Sequence, residues 1–193
     1  MIYLASASSR RAELLAQIGV RFDTIRCDID ESALEGETVV EQVTRLCHAK
    51  AIRAREKLPR MQLGDLIIAA DTLISLNGRV MGKPDSEAHC CSMLSQLSGQ
   101  RHQVLTAVAL IDHKGLIHQV CSRNEISFRH LEPAEIEAYC ASAEPADKAG
   151  AYAIQGKAAI FIAHLEGSYS SVMGLPLFET AQLLKQAGYE LNL

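Results

Sequence analysis

Arg10, Arg11, Lys50 and Lys83 stand against Glu31 and Asp71 in this chain, and none of the six is needed by the apolar pattern around it. Four cations and two acids are what a polyphosphate with a divalent metal requires: the cations neutralise phosphate oxygens, and the carboxylates offer hard oxygen ligands or a proton acceptor. Asp71 lies in the most apolar run, Leu66–Leu76. An ionised carboxylate there must meet a cation, a metal or a cleft, because burying it unpaired is expensive. A structural salt bridge, a metal ligand and a catalytic group all remain open for it. Thr72 points to the opposite face of a regular strand.

Arg10 and Arg11 follow the small hydroxyl residues of Ala5-Ser-Ala-Ser-Ser-Arg-Arg11, where a strand ends and a helix begins. Free backbone N–H groups and the positive dipole end suit an anion there. Cations at that end oppose the dipole, so helix stability does not call for them. Phosphate binding and a solvated arginine pair are the two readings; no Walker P-loop exists. Ser8 is placed to cap the helix. Lys50 falls on the apolar face set by Val43 and Leu46, so it snorkels or reaches into a cleft. Lys83 sits between Gly82 and Pro84 on a fixed backbone, or is a plain loop lysine. Asp30-Glu31 is an acidic loop or a pair of oxygen ligands. Gln155, after Asp147-Lys-Ala-Gly-Ala-Tyr152, both donates and accepts and could read a base edge.

The elements around these residues alternate. Ile2–Ala5 and Phe22–Cys27 read as strands, and Ser8 to Ile18 and Thr38 to Lys57 as helices. Leu66–Leu76 reads as a central buried strand, returned by the Asn77-Gly78 hairpin signal through Arg79–Met81. Asp85 to Leu97 is a helix capped by Asp85 or Ser86. Gln103–Asp112 and Leu116–Phe128 are long strands around a turn at Lys114. Glu132 to Ser142 and Pro176 to Gln186 are helices, with Ala158–Ala163 a strand between them. This order is mixed α/β with antiparallel pairing in the middle.

The 193 residues suit one domain, and 48% apolar with 22% charged residues is an ordinary globular composition. A net charge of -4 and 5% aromatics offer no basic, aromatic-laced face for RNA or DNA. No run of about 18 apolar residues exists, so no membrane span is expected. The N-terminus reads as a strand, not a signal peptide. The six cysteines at 27, 47, 90, 91, 121 and 140 form no C-x-x-C, and they read as scattered reduced thiols of a cytoplasmic protein. Adjacent Cys90 and Cys91 would make a strained bridge. The scattered His offer no metal site.

Ten short motifs in order resemble the Maf proteins, nucleoside triphosphate pyrophosphatases related in fold to the inosine triphosphatase group. They are Leu4-Ala-Ser-Ala-Ser-Ser-Arg-Arg11, Asp30-Glu31, Lys50-Ala51, Ala70-Asp71-Thr72, Gly82-Lys83-Pro84, Leu97-Ser98-Gly99, Asp147–Tyr152, Ile154-Gln155-Gly156, Gly167-Ser168-Tyr169 and Gly174-Leu175-Pro176. Residues 70 to 72, 147 to 152 and 154 to 156 look like the branch that uses dTTP and UTP. The branch that uses 7-methyl-GTP usually carries Ser-Asp-Gln, Cys-Ala-Gly-Ser and Ser-Glu-Gly there.

The resemblance implies a single domain over 1–193, with a long mixed sheet, flanking helices and a cleft between two lobes. It implies Asp71 as proton acceptor, with Arg10, Thr72 and Gln155 setting base preference. Ser6, Arg11, Glu31, Lys50 and Lys83 match its other active-site positions. Beside that, Ser8 joins the phosphate-binding set, and Glu31 and Asp71 are the candidate ligands of a divalent metal, Mg or Mn. A cytoplasmic homodimer that takes nucleotides, but no nucleic acid or membrane, goes with it. The rival reading is a regulator of septum formation that binds nucleotide without turnover. The sequence departs from the family at Ser9, where proline is common, and at Ser170-Ser-Val-Met173, usually Asn-Val-Val.

Overall fold

The computed structural model describes residues 1–191 except 59 and 143. β1 (Ile2–Ala5) runs parallel to β2 (Phe22–Thr24) on one side and to β3 (Leu66–Leu76) on the other. β3 then pairs antiparallel with β5 (Arg101–Asp112), β5 with β6 (Ile117–Phe128), and β6 with β7 (Ile162–Glu166). β4 (Arg79–Met81) folds back on the end of β3 through Asn77-Gly78. Both turn residues have positive φ, 51° and 78°, as the favoured two-residue hairpin demands. The seven strands make one mixed α/β sheet in the order β2-β1-β3-β5-β6-β7, with β4 beside β3.

The register of β3 determines where this sheet can open. β5 covers one edge of β3 from Leu66 to Ser75. On the other edge pairing with β1 stops at Ala69, and pairing with β4 begins only at Ile74. Residues 70 to 73 therefore present an unpaired edge, with Asp71 and Thr72 in its middle. An interrupted edge of a sheet is a natural place for a ligand.

Helices cover the sheet. α1 (Ser9–Gln17) and α6 (Leu177–Gln186) pack on one face, where Leu14, Leu15 and Leu184 join Leu4, Ile68 and Leu110. α2 (Val39–Lys57) covers the other face through Val43, Cys47, Ala51 and Ala54. Thr38 starts α2 with a reciprocal capping box to Glu41. α3 (Glu87–Leu97) and α4 (Pro133–Cys140) share a third apolar cluster with Ile126, Phe128 and Phe161. Ser86 caps α3, as one of the two expected residues. No helix among the described residues is long and apolar enough to cross a membrane.

Four expectations change. The stretch expected as a strand at 158–163 is a 3₁₀ turn, Lys157–Phe161, before β7. Only Ala158 and Phe161 are buried there, a spacing of three that an apolar run does not reveal. β2 ends at Thr24 rather than Cys27. The stretch between Ala163 and Pro176, to which the sequence pattern assigns no strand or helix, contains α5 (Tyr169–Met173), capped by Ser168. Finally, Cys90 and Cys140 are not free thiols: they are joined by a disulfide that ties α3 to α4. Fifty residues separate them, so their spacing carries no signal. Cys91 is free, so the adjacent pair is not bridged.

His102 on β5 is 2% exposed and lies edge-on between Phe128 and Tyr152. Its Nε2 is 2.8 Å from the Tyr152 hydroxyl, and its Nδ1 has no partner among the described residues. Burial pushes the imidazole down to about 4, against 6.5 in the open chain. The unfolded chain therefore takes up a proton between these values while the folded one does not, so stability falls as pH drops through that window. The limiting slope for one such group is about 1.4 kcal/mol per pH unit. Urea unfolding across this range should show a shallower loss in His102→Gln than in wild type. An unchanged slope would contradict the assignment.

Candidate active site

A cleft of about 870 Å³ lies over the open edge of β3. That size falls within the range of small-molecule sites, roughly 300–1,000 Å³. Of the residues singled out from the sequence, Ser8, Arg10, Arg11, Glu31, Lys50, Asp71, Thr72, Lys83 and Gln155 line it, whereas Ser6 and Asp30 do not. Ser6 is 8% exposed and works from behind, its Oγ accepting from the Ser8 backbone N–H at 3.1 Å.

The centre is a carboxylate–ammonium–carboxylate cluster. Lys50 Nζ donates to Asp71 Oδ1 at 2.5 Å and lies 2.7 Å from Glu31 Oε1. Lys50 thus reaches into the cleft from α2 rather than snorkelling. Burial works against its ammonium, but Asp71 and Glu31 outweigh it and hold its pKa above the ordinary lysine value. Burial likewise opposes the Glu31 carboxylate, yet Lys50, with Lys83 and Arg11 behind it, holds that pKa below the usual range. Asp30 does not share the cluster; its Oδ1 accepts from the Ser32 backbone N–H. Asp71 Oδ2 has no hydrogen-bond partner among the described residues and is not sealed from solvent. Cys47, the nearby thiol of α2, is pushed up to about 12 by burial first and then by the charge of Asp71, so it stays protonated.

The start of α1 forms a second wall. Ser8 occupies the N-cap position, but its side chain makes no capping bond, contrary to expectation. The first N–H groups of α1 are thus left without a side-chain cap beside the cleft. α1 begins at Ser9. Among the described residues Arg10 and Lys83 make no ion pair. Arg11 differs from them, because its Nε donates to the Gly174 carbonyl at 2.8 Å, its Nη1 to Ser6 Oγ at 3.4 Å and its Nη2 to Thr72 Oγ1 at 3.2 Å. Burial lowers its pKa, with Asp71 pulling the other way. Three of its five N–H groups are spent on the fold, leaving two for a ligand.

The loop that supplies Gly174 is held by Asn124 on β6. The Asn124 amide donates to Val104 O and Ser171 Oγ, and its Oδ1 accepts from the Ser168 N–H at 2.7 Å. A Cβ at Gly167, φ 124°, would lie 2.4 Å from Asn124 Oδ1, so this turn requires glycine. Further cleft residues were not singled out from the sequence. Gln42 and Leu46 precede Lys50 by eight and four residues on one helical face, and that period could have found them. Asp147 and Lys148, which open the Asp147–Tyr152 motif, line the cleft as an ion pair with each other, a contact the motif alone does not give. Nothing local marks Asn124, whose role depends on contacts across 44 and 47 residues.

The family described as Maf-like protein matches residues 1–187. The dTTP/UTP pyrophosphatase of Colwellia psychrerythraea is 48% identical over 189 residues, covering 97% of this chain and 89% of its own. The dTTP/UTP pyrophosphatase of Nitrosomonas europaea is 48% identical over 196 residues, covering 97% of this chain and 94% of its own. Among solved structures, a HAM1 protein from Coxiella burnetii is 17% identical, with a TM-score of 0.49 over 96% of this chain and 98% of its own.

Removing the central ammonium leaves a buried carboxylate uncompensated. Lys50→Gln should destabilise the fold by about 3 kcal/mol, the low end for a broken buried pair because the cleft admits water. Asp71→Asn in the Lys50→Gln background should recover part of that loss. Urea unfolding of the two single variants and the double variant tests this, and additive losses would contradict it.

Proposed function

The chain belongs to the Maf family, and we propose that it hydrolyses dTTP and UTP between the α- and β-phosphates, releasing the monophosphate and pyrophosphate. The observation that carries this reading is Asp71, a carboxylate held by Lys50 through Oδ1, in a cleft with Arg10 and Lys83, cations that make no ion pair among the described residues. An acceptor oxygen fixed on one side and free on the other is what activation of water asks for.

In this reading Asp71 Oδ2 accepts the proton of the attacking water, and Lys50 orients the carboxylate through Oδ1. Arg10, Lys83 and the two remaining N–H groups of Arg11 balance the triphosphate, with the N–H groups after Ser8 beside them. Ser6 supports that loop. Gln155, Thr72 and Arg10 set the preference for a pyrimidine edge. The site also fits Mg or Mn. Glu31 and Asp71 converge on one ammonium, and no cluster of three or more His, Cys, Asp or Glu exists among the described residues. Glu31 and Asp71 would hold such a cation, since two hard oxygen donors suit Mg or Mn. When bound, the cation supplies charge neutralisation at the phosphates.

A homodimer and a cytoplasmic setting complete the proposal. The Cys90–Cys140 disulfide runs against a reducing compartment, so the dTTP/UTP reading rests on the cleft and not on location.

Pyrophosphate release from dTTP, UTP, CTP, dGTP and 7-methyl-GTP with Mg or Mn tests the proposal. Wild type should turn over dTTP and UTP, and Asp71→Asn should lose at least about a hundredfold, the usual worth of a positioned base. Turnover confined to 7-methyl-GTP would keep the reaction and overturn the base preference. Binding without turnover would favour the septum-regulator reading.

A further inference from the structure

Thr106 on β5 stands directly opposite Thr72 on β3 and is 0% exposed. Its Oγ1 lies 2.8 Å from the Ser171 carbonyl oxygen and 3.0 Å from Thr72 Oγ1. Thr72 Oγ1 in turn lies 3.2 Å from Arg11 Nη2. Each end of this chain has one role: a guanidinium only donates and a carbonyl only accepts. With one proton on each hydroxyl, all three bonds form only in one direction. Arg11 donates to Thr72, Thr72 to Thr106, and Thr106 to Ser171. Reversing the middle bond leaves Thr106 no proton for Ser171, which is the costlier state for fully buried groups.

We propose that Thr106 is a positioning residue that makes Thr72 an acceptor-only group toward the cleft, and that this selects uracil and thymine over cytosine. The proposal rests on the dTTP/UTP reading given above. The proton of Thr72 is committed inward and one lone pair is taken by Arg11. One lone pair remains for whatever occupies the cleft that Thr72 lines. That lone pair disfavours a phosphate oxygen and favours an N–H. Uracil and thymine carry a donor at N3, whereas cytosine carries a lone pair there. A Thr72 hydroxyl released from Thr106 could rotate and serve either base.

The test compares kcat/KM for dTTP, UTP and CTP in wild type, Thr106→Val and Thr106→Ser. Valine keeps the shape and removes the hydroxyl, while serine keeps the hydroxyl. The preference for UTP over CTP should fall roughly tenfold in Thr106→Val, the worth of one hydrogen bond. It should be restored in Thr106→Ser, and the change should fall on KM more than on kcat. In a Thr72→Val background, Thr106→Val should have no further effect on the ratio. Should Thr106→Val fail to fold, Thr106→Cys, a weak donor, is expected to show the same fall. An unchanged ratio, an equal fall in the serine variant, or a uniform loss on all three nucleotides would overturn the proposal. A wild type that releases no pyrophosphate from dTTP or UTP would instead overturn the dTTP/UTP reading, and this proposal with it.

Discussion

A carboxylate in the middle of a buried strand has to be compensated, and in this protein one ammonium does so. Lys50 lies between Asp71 and Glu31 at 2.5 and 2.7 Å. That contact requires α2 to lie flat on the sheet, and the small residues Ala51 and Ala54 let it approach. It also requires an opening beside Asp71. The register of β3 provides one, because β1 ends and β4 has not yet begun. The charge cluster and the cleft are thus two consequences of one interrupted edge.

Behind the cluster lies a layer of polar groups that sets orientation rather than charge. Arg11 is held by Gly174, Ser6 and Thr72, and Gly174 belongs to a loop fastened to Asn124 and Thr106. The two cations that remain unpaired, Arg10 and Lys83, are then the ones available to a ligand. The arginine pair thereby divides its work, one residue facing a ligand and the other building the wall.

Much of this was legible in the sequence where a residue broke the rule of its surroundings. Asp71 stood out against an unbroken apolar strand, Lys50 against an apolar helix face, and Arg10 and Arg11 against a helix dipole. The long antiparallel strands and the Asn77-Gly78 hairpin followed from local pattern. The illegible parts depend on register between distant segments. Thr106 is one of many small residues in β5 until pairing sets it opposite Thr72. Cys90 meets Cys140 only because α3 packs on α4. The 3₁₀ turn at Lys157–Phe161 runs into β7 as one apolar stretch, so local pattern does not separate the two. Residue type alone makes Ser8 a cap, yet its side chain leaves the helix start open.

The most direct measurement is a crystal structure with the non-hydrolysable α,β-methylene analogue of UTP and Mg. The α-phosphorus should lie beside Asp71, the triphosphate against Arg10 and Lys83, and the uracil by Thr72 and Gln155. A nucleotide bound outside the gap between β1 and β4, or with its phosphates directed away from Asp71, would contradict the central claim that the open edge of β3 is the reacting centre.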